Sequence, residues 1–247
     1  MKAVILGGTK GIGRALARRL AERGDALALL GRDPADIERS ARDLEVRAGS
    51  ATGSVKAVVC DLEDPTSFGP ALQSAETALG GLDAVIVTAG VFGTQEKLEA
   101  DPALLARLLR VNFGHTVLFC EDARKRLLAR GGGTLCVFSS VAGERGRKPV
   151  VLYGATKAGL SRYLEGLDHR YHSQGLRVVC VKPGFVRTGM TAGLPEPPFA
   201  GDPDDVARAV VTALEHGTPV VYAPGVWRWI MLVIRLLPRA VMRRVAF

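Results

Sequence analysis

A glycine-rich turn near the beginning of the sequence separates a short apolar run from a helical pattern. Lys2 to Leu6 is apolar and β-branched and predicts a buried strand, whereas Arg14 to Arg23 predicts a helix. Between them, Gly7, Gly11 and Gly13 permit a tight turn, close approach of the main chain to a pyrophosphate, and close packing of helix on strand. The helix N-terminus also offers N–H groups and a positive dipole end to phosphates. The turn therefore predicts dinucleotide binding, and a connection without a ligand is the alternative.

Strand-like and helix-like segments alternate along the rest of the sequence. This alternation predicts the α/β class, with a single doubly wound parallel sheet of Rossmann type, helices on both faces and right-handed crossovers. A chain of 247 residues without linkers or repeats is expected to form one core. We expect residues 1–225 to form this catalytic domain, and residues 226–247 to be a basic amphipathic tail packed on it or extending from it. Further strands are predicted at 26–30, 55–60, 84–87, 135–138, 176–182 and 219–222, and further helices at 65–79, 102–130 and 204–216.

The stretch Leu135 to Leu160 contains three residues whose chemistry belongs together. Ser140 follows an apolar run and should lie at the carboxyl end of a buried strand, where parallel sheets bind ligands. Tyr153 and Lys157 are four residues apart in a helical segment, so they share a face. An ammonium group favours a nearby phenolate, and we therefore expect a lowered pKa for Tyr153, which would act as a general acid/base. The alternative is an ordinary helical tyrosine beside a solvated lysine.

Ser140, the YxxxK pair and a glycine turn spaced GxxxGxG together resemble the short-chain dehydrogenase/reductase family over essentially the whole chain. The resemblance implies an NADP(H)-dependent carbonyl reductase or alcohol dehydrogenase. Ser140 would orient the substrate oxygen, Tyr153 would protonate it, and Lys157 would hold the cofactor ribose. Asn112, within RVNF, would interrupt a helix and anchor a proton-relay water. The implied catalytic residues are Asn112, Ser140, Tyr153 and Lys157.

The cofactor is predicted from the end of the second strand, which reads Gly31-Arg32-Asp33. NAD enzymes usually carry an acid there, whereas an arginine accommodates a 2′-phosphate. Arg32 therefore favours NADP(H) over NAD(H), and Lys10 would add a second positive charge. Asp33 is either a displaced acid or, as Pro34 favours, the cap of the next helix. The cofactor-binding residues implied by the resemblance are Gly7, Thr9, Lys10, Gly11, Ile12, Gly13, Arg32, Asp61, Leu62, Ala89, Gly90, Tyr153, Lys157, Pro183, Gly184, Val186 and Thr188.

One further segment departs from the family pattern, and another follows it. Val87 and Thr88 replace both asparagines of the NNAG sequence common in the family, although Ala89 and Gly90 still allow close approach to the cofactor ribose. Residues 183–188 resemble the PGxVxT turn that holds the nicotinamide carboxamide. The glycine- and proline-rich residues 189–201 that follow predict a lid over the site, or a surface loop without a closing motion.

The net charge of +8 is unevenly distributed, because residues 226–247 contain five arginines and no acid. Nucleic acid is not expected as a partner, since the basic excess lies in one segment without a binding motif. Arg228, Arg235, Arg239 and Arg243 follow helical spacing and are expected on one face, although Pro238 interrupts the helix. The tail lies either on an anionic membrane or against another subunit of a homodimer or homotetramer.

A closer resemblance refines the substrate. SSVAGERGRK, YGATKAGL, PGFVRTGM and the tail resemble the decaprenylphosphoryl 2-keto-pentose reductase-like subgroup, which implies a keto sugar carried on a lipid phosphate. Arg145, Arg147 and Lys148 would suit an anionic headgroup. The alternatives are a soluble 3-oxoacyl or small-ketone reductase and a non-catalytic NADP-binding regulator. The complete catalytic set argues against the regulator.

The cysteines indicate the cellular compartment. Four cysteines are scattered without metal-ligand spacing, and three of them lie in apolar runs. They predict reduced core residues and no metal site in a cytoplasmic protein, with peripheral contact at the inner face of the membrane as a further possibility.

Overall fold

Seven parallel strands form one sheet in the computed structural model, which describes residues 1–49 and 55–245. The strands are β1 (Lys2–Leu6), β2 (Ala26–Gly31), β3 (Val55–Val59), β4 (Ala84–Val87), β5 (Gly133–Phe138), β6 (Leu176–Pro183) and β7 (Val220–Ala223). Their order is β3-β2-β1-β4-β5-β6-β7, and every neighbouring pair is parallel. From β1 the chain builds the sheet first outward through β2 and β3 and then, from β4 onward, on the other side of β1. Sheets of this type bind ligands at such a change of direction, here between β1 and β4. The predicted fold class is confirmed.

Helices cover both faces of this sheet. They are α1 (Gly11–Glu22), α2 (Pro34–Arg47), α3 (Phe68–Leu79), α4 (Gln95–Ala100), α5 (Pro102–Leu109), α6 (Thr116–Ala129), α7 (Val151–Tyr171), α8 (Pro203–His216), α9 (Trp227–Leu236) and α10 (Arg239–Arg244). Buried residues of α3, α6 and α7 form a core on one face of the sheet, and those of α1, α2 and α8 form a core on the other. The inner strands β1, β2, β4 and β5 are almost entirely buried between these cores, which explains their continuous apolar sequences, whereas the edge strands β3 and β7 are partly exposed.

Local sequence signals set several of the helix ends. Asp33 accepts a hydrogen bond from the main-chain N–H of Asp36 at 3.1 Å and caps α2, with Pro34 in the first helical position. Asp33 is therefore a cap rather than a displaced cofactor acid, as Pro34 had favoured. Asp101 caps α5 in the same way, accepting from Ala103 and Leu104.

The predicted helix 102–130 is divided by a π-helical turn, Arg110–His115, which separates α5 from α6. Asn112 lies in this turn, as expected of an asparagine that interrupts helical bonding, and such turns are frequent at functional sites. By length and composition alone the run Pro102–Ala129 could cross a membrane. Fully buried residues of α6, such as Phe119 and Ala123, instead pack against the sheet. The short helix α4, just before α5, was not predicted.

The tail forms two helices rather than one. Leu237 and Pro238 have extended main-chain angles, so α9 ends before them and α10 begins after them. The expectation that four arginines share one helical face is therefore wrong. The inner face of α9 packs Met231 and Ile234 against Val141, while much of its outer face is exposed.

Candidate active site

The glycine turn follows β1 and is packed too closely to accept side chains. A Cβ atom on Gly7 would lie 2.6 Å from the main-chain nitrogen of Ala89, and one on Gly13 only 2.2 Å from the carbonyl oxygen of Gly7. Thr88 donates a hydrogen bond from its hydroxyl to the Gly7 carbonyl at 3.0 Å. The residue that replaces an asparagine of the family pattern therefore fixes the turn. The main chain remains free to approach a phosphate group, as the glycine spacing predicted.

Lys10, Thr9 and Ile12 occupy different positions around this turn. Lys10 Nζ is largely exposed and lies 3.5 Å from Asp36 Oδ2, and Thr9 hydrogen-bonds to the same carboxylate. Ile12 packs against the core and holds the beginning of α1 on the sheet. Of these three residues, Lys10 therefore presents a charge to solvent beside the turn.

Arg32 follows β2 with 64% of its side chain exposed, and its Nη1 lies 3.4 Å from Glu63 Oε1. That carboxylate is held more closely by Arg107 at 2.7 Å, and this bond lowers the pKa of Glu63. Glu63 thus has a closer cationic partner, and Arg32 can leave it to contact a phosphate. Of the two cofactor-binding residues expected after β3, Asp61 is partly exposed, whereas the Leu62 side chain is buried in the core. Contact through Leu62 would involve its main chain.

The turn after β4 meets the π-helical turn through Asn112. Its Oδ1 accepts from the main-chain N–H of Val91 at 2.8 Å, and its Nδ2 donates to the Val91 carbonyl at 2.7 Å. A Cβ atom on Gly90 would lie 3.2 Å from Asn112 Oδ1 and 3.8 Å from Lys157 Nζ. The absence of a side chain at Gly90 therefore allows the asparagine and the lysine to approach each other.

Ser140, Tyr153 and Lys157 come together at the carboxyl ends of β5 and β6. Ser140 Oγ accepts from the main-chain N–H of Ala142 at 3.1 Å, lies 3.4 Å from the Pro183 carbonyl, and hydrogen-bonds to Tyr153. Lys157 is buried and donates to the Phe138 carbonyl at 2.9 Å. Serine, phenol and ammonium thus lie in the order that the sequence motif predicted.

The pKa values of this group differ from the sequence expectation. Burial raises the pKa of Tyr153 to about 12, and the hydrogen bond from Ser140 opposes this only in part. Burial also lowers the pKa of Lys157 to about 8. The prediction that the lysine lowers the pKa of Tyr153 is therefore wrong, because desolvation dominates over the charge of the lysine. At neutral pH the phenol is protonated, which is the form that can donate a proton.

The turn after β6 connects the site with the tail. Val186 is buried, and the methyl group of Thr188 lies 3.4 Å from where a Cβ on Gly11 would be, so this turn covers the glycine turn. A Cβ on Gly184 would lie 2.1 Å from Nε1 of Trp227, the first residue of α9. Pro183, Gly184, Val186 and Thr188 therefore form a wall beside the glycine turn, and the tail packs directly behind it.

Residues 189–201 form the predicted loop beside this wall. Arg187 restrains the loop through ion pairs with Glu196 at 2.6 Å and Asp202 at 3.0 Å. Met190 and Phe199 are exposed on its surface, and the Phe199 carbonyl accepts from Trp227 Nε1 at 3.3 Å. Closure of this loop over the site remains a prediction.

A buried polar cluster beside Ser140 was missed by the sequence analysis. Glu144 pairs with Lys182 at 2.7 Å and accepts from the Tyr222 hydroxyl at 2.9 Å. The three residues belong to different elements far apart in the sequence, so no local pattern could connect them. An acid inside the otherwise basic segment 144–148 is the only hint. The cluster also lines a groove of about 1050 Å³ between α7, α8, β7 and α9, which includes neither Ser140 nor Tyr153.

Comparisons with known proteins agree with this geometry. A family model described as short chain dehydrogenase matches residues 1–198. An uncharacterised oxidoreductase of Mycobacterium tuberculosis is 35% identical over 241 residues, covering 98% of this chain and 95% of that protein. An uncharacterised oxidoreductase of Streptomyces coelicolor is 36% identical over 248 residues, covering 98% and 94%.

Solved structures share the fold at lower identity. A short-chain dehydrogenase from Sphingobium yanoikuyae in complex with NADPH matches with a TM-score of 0.81 and 24% identity, covering 99% of this chain and 96% of that chain. A 3-ketoacyl-(acyl-carrier-protein) reductase from Brucella melitensis complexed with NADH matches with a TM-score of 0.78 and 21% identity, covering 89% and 95%.

Proposed function

The chain belongs to the short-chain dehydrogenase family, and from that premise we propose that it is an NADP(H)-dependent oxidoreductase acting on a ketone or secondary alcohol. The observation that carries the proposal is the assembly of Ser140, Tyr153 and Lys157 at the carboxyl ends of β5 and β6. A structure that only binds a dinucleotide needs the glycine turn but not this set. The regulator is therefore the weaker alternative.

The residues around the glycine turn fit a dinucleotide cofactor. The turn has no room for side chains at Gly7 and Gly13, and its main chain leads directly into the N-terminus of α1. Gly7, Thr9, Lys10, Gly11, Ile12 and Gly13 would hold the pyrophosphate, and Ala89 and Gly90 would hold the ribose. When bound, the cofactor supplies or accepts the hydride.

Preference for NADP(H) over NAD(H) rests on Arg32. Its exposed guanidinium follows β2, where an acid would otherwise bind the ribose hydroxyls. Lys10 is the second exposed cation near that position. Relatives in fold bind either cofactor, since one solved structure holds NADPH and another holds NADH. The proposed preference of this chain for NADP(H) therefore depends on Arg32.

The catalytic roles follow from the geometry and the pKa directions. Ser140 Oγ orients the carbonyl oxygen, and the protonated Tyr153 hydroxyl, hydrogen-bonded to Ser140, donates its proton to that oxygen. The Lys157 ammonium stabilises the resulting phenolate and holds the ribose. The side-chain oxygen and nitrogen of Asn112 are both engaged by Val91, so a relay water would contact the main-chain carbonyl of Asn112 in the π-helical turn.

For the substrate, we propose an anionic ketone, with a keto sugar carried on a lipid phosphate as the specific candidate. The segment between Ser140 and Tyr153 supports this class. Arg147 has a buried Nε without a hydrogen-bond partner, and burial lowers the pKa of its guanidinium. Arg145 is engaged by the Leu237 carbonyl at 2.9 Å. Arg147 is therefore the stronger candidate for a phosphate contact. The similarity to decaprenylphosphoryl 2-keto-pentose reductases is part of this proposal.

The second candidate substrate is a soluble 3-oxoacyl compound or small ketone. It is favoured by the fold relationship to a 3-ketoacyl reductase. Under this alternative Arg147 would contact a carboxylate or a carrier phosphate, and the tail would serve only as a subunit interface.

We further propose a cytoplasmic protein that contacts the inner face of the membrane through residues 226–247. The outer face of α9 exposes Trp229, Val233 and Leu236, at 64%, 62% and 76% of their surfaces. Within residues 1–49 and 55–245, Arg228 and Arg239 have no acidic partner, and residues 226–247 contain no acid. Two copies of this surface would place arginines against arginines, so an anionic membrane complements it better than a second subunit does.

A homodimer or homotetramer would use a different surface. β7 is an edge strand of the sheet, and the groove between α7, α8 and α9 lies beside it. An unpaired edge strand is a ready site for another chain. Assembly there leaves the outer face of α9 free for the membrane.

The deciding experiment follows NADPH oxidation by the purified protein against small ketones, 3-oxoacyl thioesters, soluble keto sugar phosphates and lipid-phosphate-linked keto sugars. We expect turnover with an anionic ketone and the highest kcat/KM with the lipid-linked sugar. Turnover of uncharged ketones at equal kcat/KM would contradict the substrate class. NADPH binding without turnover of any of these compounds would favour the regulator.

A further inference from the structure

The carboxylate of Glu144 is buried in a place that the proposed reaction does not use. Its side chain is 6% exposed and pairs with Lys182 Nζ at 2.7 Å. Its second oxygen accepts from the Tyr222 hydroxyl at 2.9 Å and from Arg235 Nη1 at 3.4 Å. Burial opposes ionisation, but the bond from Lys182 and the nearby charges lower the pKa of Glu144 below its ordinary value. The acid is therefore ionised and joined to three other elements.

These three elements are β6, β7 and α9, and each contact restrains the segment that begins at Ser140. Lys182 directly precedes Pro183, whose carbonyl lies 3.4 Å from Ser140 Oγ. Arg235 belongs to α9, whose Met231 packs against Val141. Arg145 adds a bond to the Leu237 carbonyl. Residues 140–145 are thus fixed to the tail helix at several points.

The same segment presses against the catalytic helix α7. A Cβ on Gly143 would lie 2.6 Å from the main-chain carbon of Lys157, and one on Gly154 would lie 2.8 Å from the Ala142 carbonyl oxygen. Main chain therefore touches main chain immediately beside Tyr153 and Lys157. A shift of the segment would change the distance between Ser140 and the phenol.

From these contacts we propose that Glu144 is a positioning residue that, through Lys182, Tyr222 and Arg235, fixes the 140–144 segment so that Ser140 meets Tyr153. The proposal makes α9 a structural part of the active site rather than an appendage, and it rests on the proposed oxidoreductase function. A contribution to the stability of the fold is not by itself a good explanation for a buried ion pair such as that of Glu144 and Lys182. A buried ion pair often contributes no more stability than apolar side chains of similar volume.

The test replaces both charges together, because Glu144→Ala alone would leave the Lys182 charge buried and unpaired and would destabilise the fold. In Glu144→Leu/Lys182→Met we expect a melting temperature close to that of the wild type. We also expect kcat to fall roughly tenfold to a hundredfold, since ångström-scale misplacement of a reacting group has effects of this size. The Kd for NADPH should change by less than about twofold, because the glycine turn is untouched. Glu144→Gln keeps a hydrogen-bonding group and should retain most of the activity.

A second readout does not depend on turnover. Hydrogen exchange in a peptide covering residues 138–146 should become faster in the double variant, while exchange in β1 stays unchanged. Glu121→Leu/Arg124→Met is the matched control, because it also removes both charges of an ion pair. Glu121 also binds an arginine and a tyrosine, Arg124 at 2.6 Å and Tyr163 at 2.8 Å, but lies on α6 and should leave kcat unchanged.

A folded double variant with wild-type kcat and wild-type exchange at 138–146 would overturn the proposal. If the double variant does not fold, Tyr222→Phe and Arg235→Met each remove one contact, and unchanged kcat and exchange in both would overturn it equally. A wild-type protein without ketone reductase activity would refute the proposed function instead. The rate of hydrogen exchange at residues 138–146, compared between the wild type and the double variant, would then test the positioning role by itself.

Discussion

The ammonium of Lys157 lies 5.8 Å from the centre of the Tyr153 ring and is held by the Phe138 carbonyl at 2.9 Å. Both side chains belong to α7 and face the same side of it, four residues apart. Burial raises the pKa of the Tyr153 phenol to about 12 and lowers the pKa of the Lys157 ammonium to about 8. This arrangement fits the proposed roles, in which Tyr153 gives a proton to a substrate and Lys157 stabilises the resulting phenolate.

Replacing Tyr153 by phenylalanine tests the proton donor. The ring keeps its edge contact with Phe92, so the fold and NADPH binding should persist. Loss of the hydroxyl should lower kcat by at least about 10²-fold. The measurements are steady-state ketone reduction and NADPH binding by fluorescence. Tyr163→Phe on the same helix is the control and should keep its activity, whereas near-normal turnover in folded Tyr153→Phe would rule out this residue as the general acid.

Arg32→Ala tests the cofactor preference. Because the guanidinium is proposed to bind the 2′-phosphate, its removal should raise the Kd for NADPH by much more than the Kd for NADH. Arg42→Ala removes a similarly exposed arginine from α2, paired with Glu38 at 3.6 Å, and should change neither constant. Titration of both cofactors against each variant measures the effect. Equal weakening of the two in Arg32→Ala, or a wild-type preference for NADH, would contradict the assignment.

The buried charge of Lys157 should lower stability near neutral pH. Its pKa is about 8 in the folded chain and 10.5 ordinarily, so between these values the unfolded chain binds more protons and stability rises with pH. Below about pH 8 the full penalty applies. We expect Lys157→Met to be inactive and to have a higher melting temperature than the wild type at pH 7, with the difference shrinking from pH 8 to 10.5. If the difference in melting temperature between Lys157→Met and the wild type were constant over this pH range, burial would not lower the pKa of Lys157.

The outer face of α9 predicts binding to anionic vesicles. Wild-type protein should sediment with vesicles containing phosphatidylglycerol at low ionic strength and be released by salt. Arg239→Gln/Arg243→Gln should weaken binding by about 2 kcal/mol, since each basic residue contributes about 1 kcal/mol near such a surface. Val233→Glu/Leu236→Glu should abolish it.

The control for vesicle binding is Val46→Glu. Val46 is 83% exposed on α2, which packs beside β3 at the opposite edge of the sheet from β7. This change should leave sedimentation unaffected. If the wild type binds no vesicles and Val233→Glu/Leu236→Glu instead dissociates an oligomer in light scattering, the tail is a subunit interface and the lipid-linked substrate loses its main support.

Local patterns were sufficient to predict the strands of the sheet and the proximity of Ser140, Tyr153 and Lys157. The apolar run Lys2–Leu6 predicted β1 to the residue, and Asp33-Pro34 predicted the cap of α2, because both signals act over a few neighbouring residues. That proximity was predictable because helical spacing and the end of an apolar strand can be recognised in the sequence, whereas the catalytic roles come from the family resemblance and belong to the proposed function.

Features that depend on tertiary contact were not predictable in this way. The direction of the Tyr153 pKa depends on burial from several elements, and spacing alone gives only the neighbouring charge. The role of Thr88 in holding the Gly7 carbonyl requires knowledge of how β4 lies beside β1. The Glu144 cluster joins residues from four separate elements. Patterns of residue type along the chain contain none of this information.

The bonds between Glu144 and Arg235 and between Arg145 and Leu237 connect positions 91 and 92 residues apart. The chain is synthesised from its N-terminus, so residues 1–145 leave the ribosome before α9 exists to pack on them. The glycine turn and the strands around it can therefore be complete while α9 is still undocked. A nascent chain would then acquire the ability to bind its cofactor before the serine segment is fixed, and catalytic competence would be the last property that folding confers.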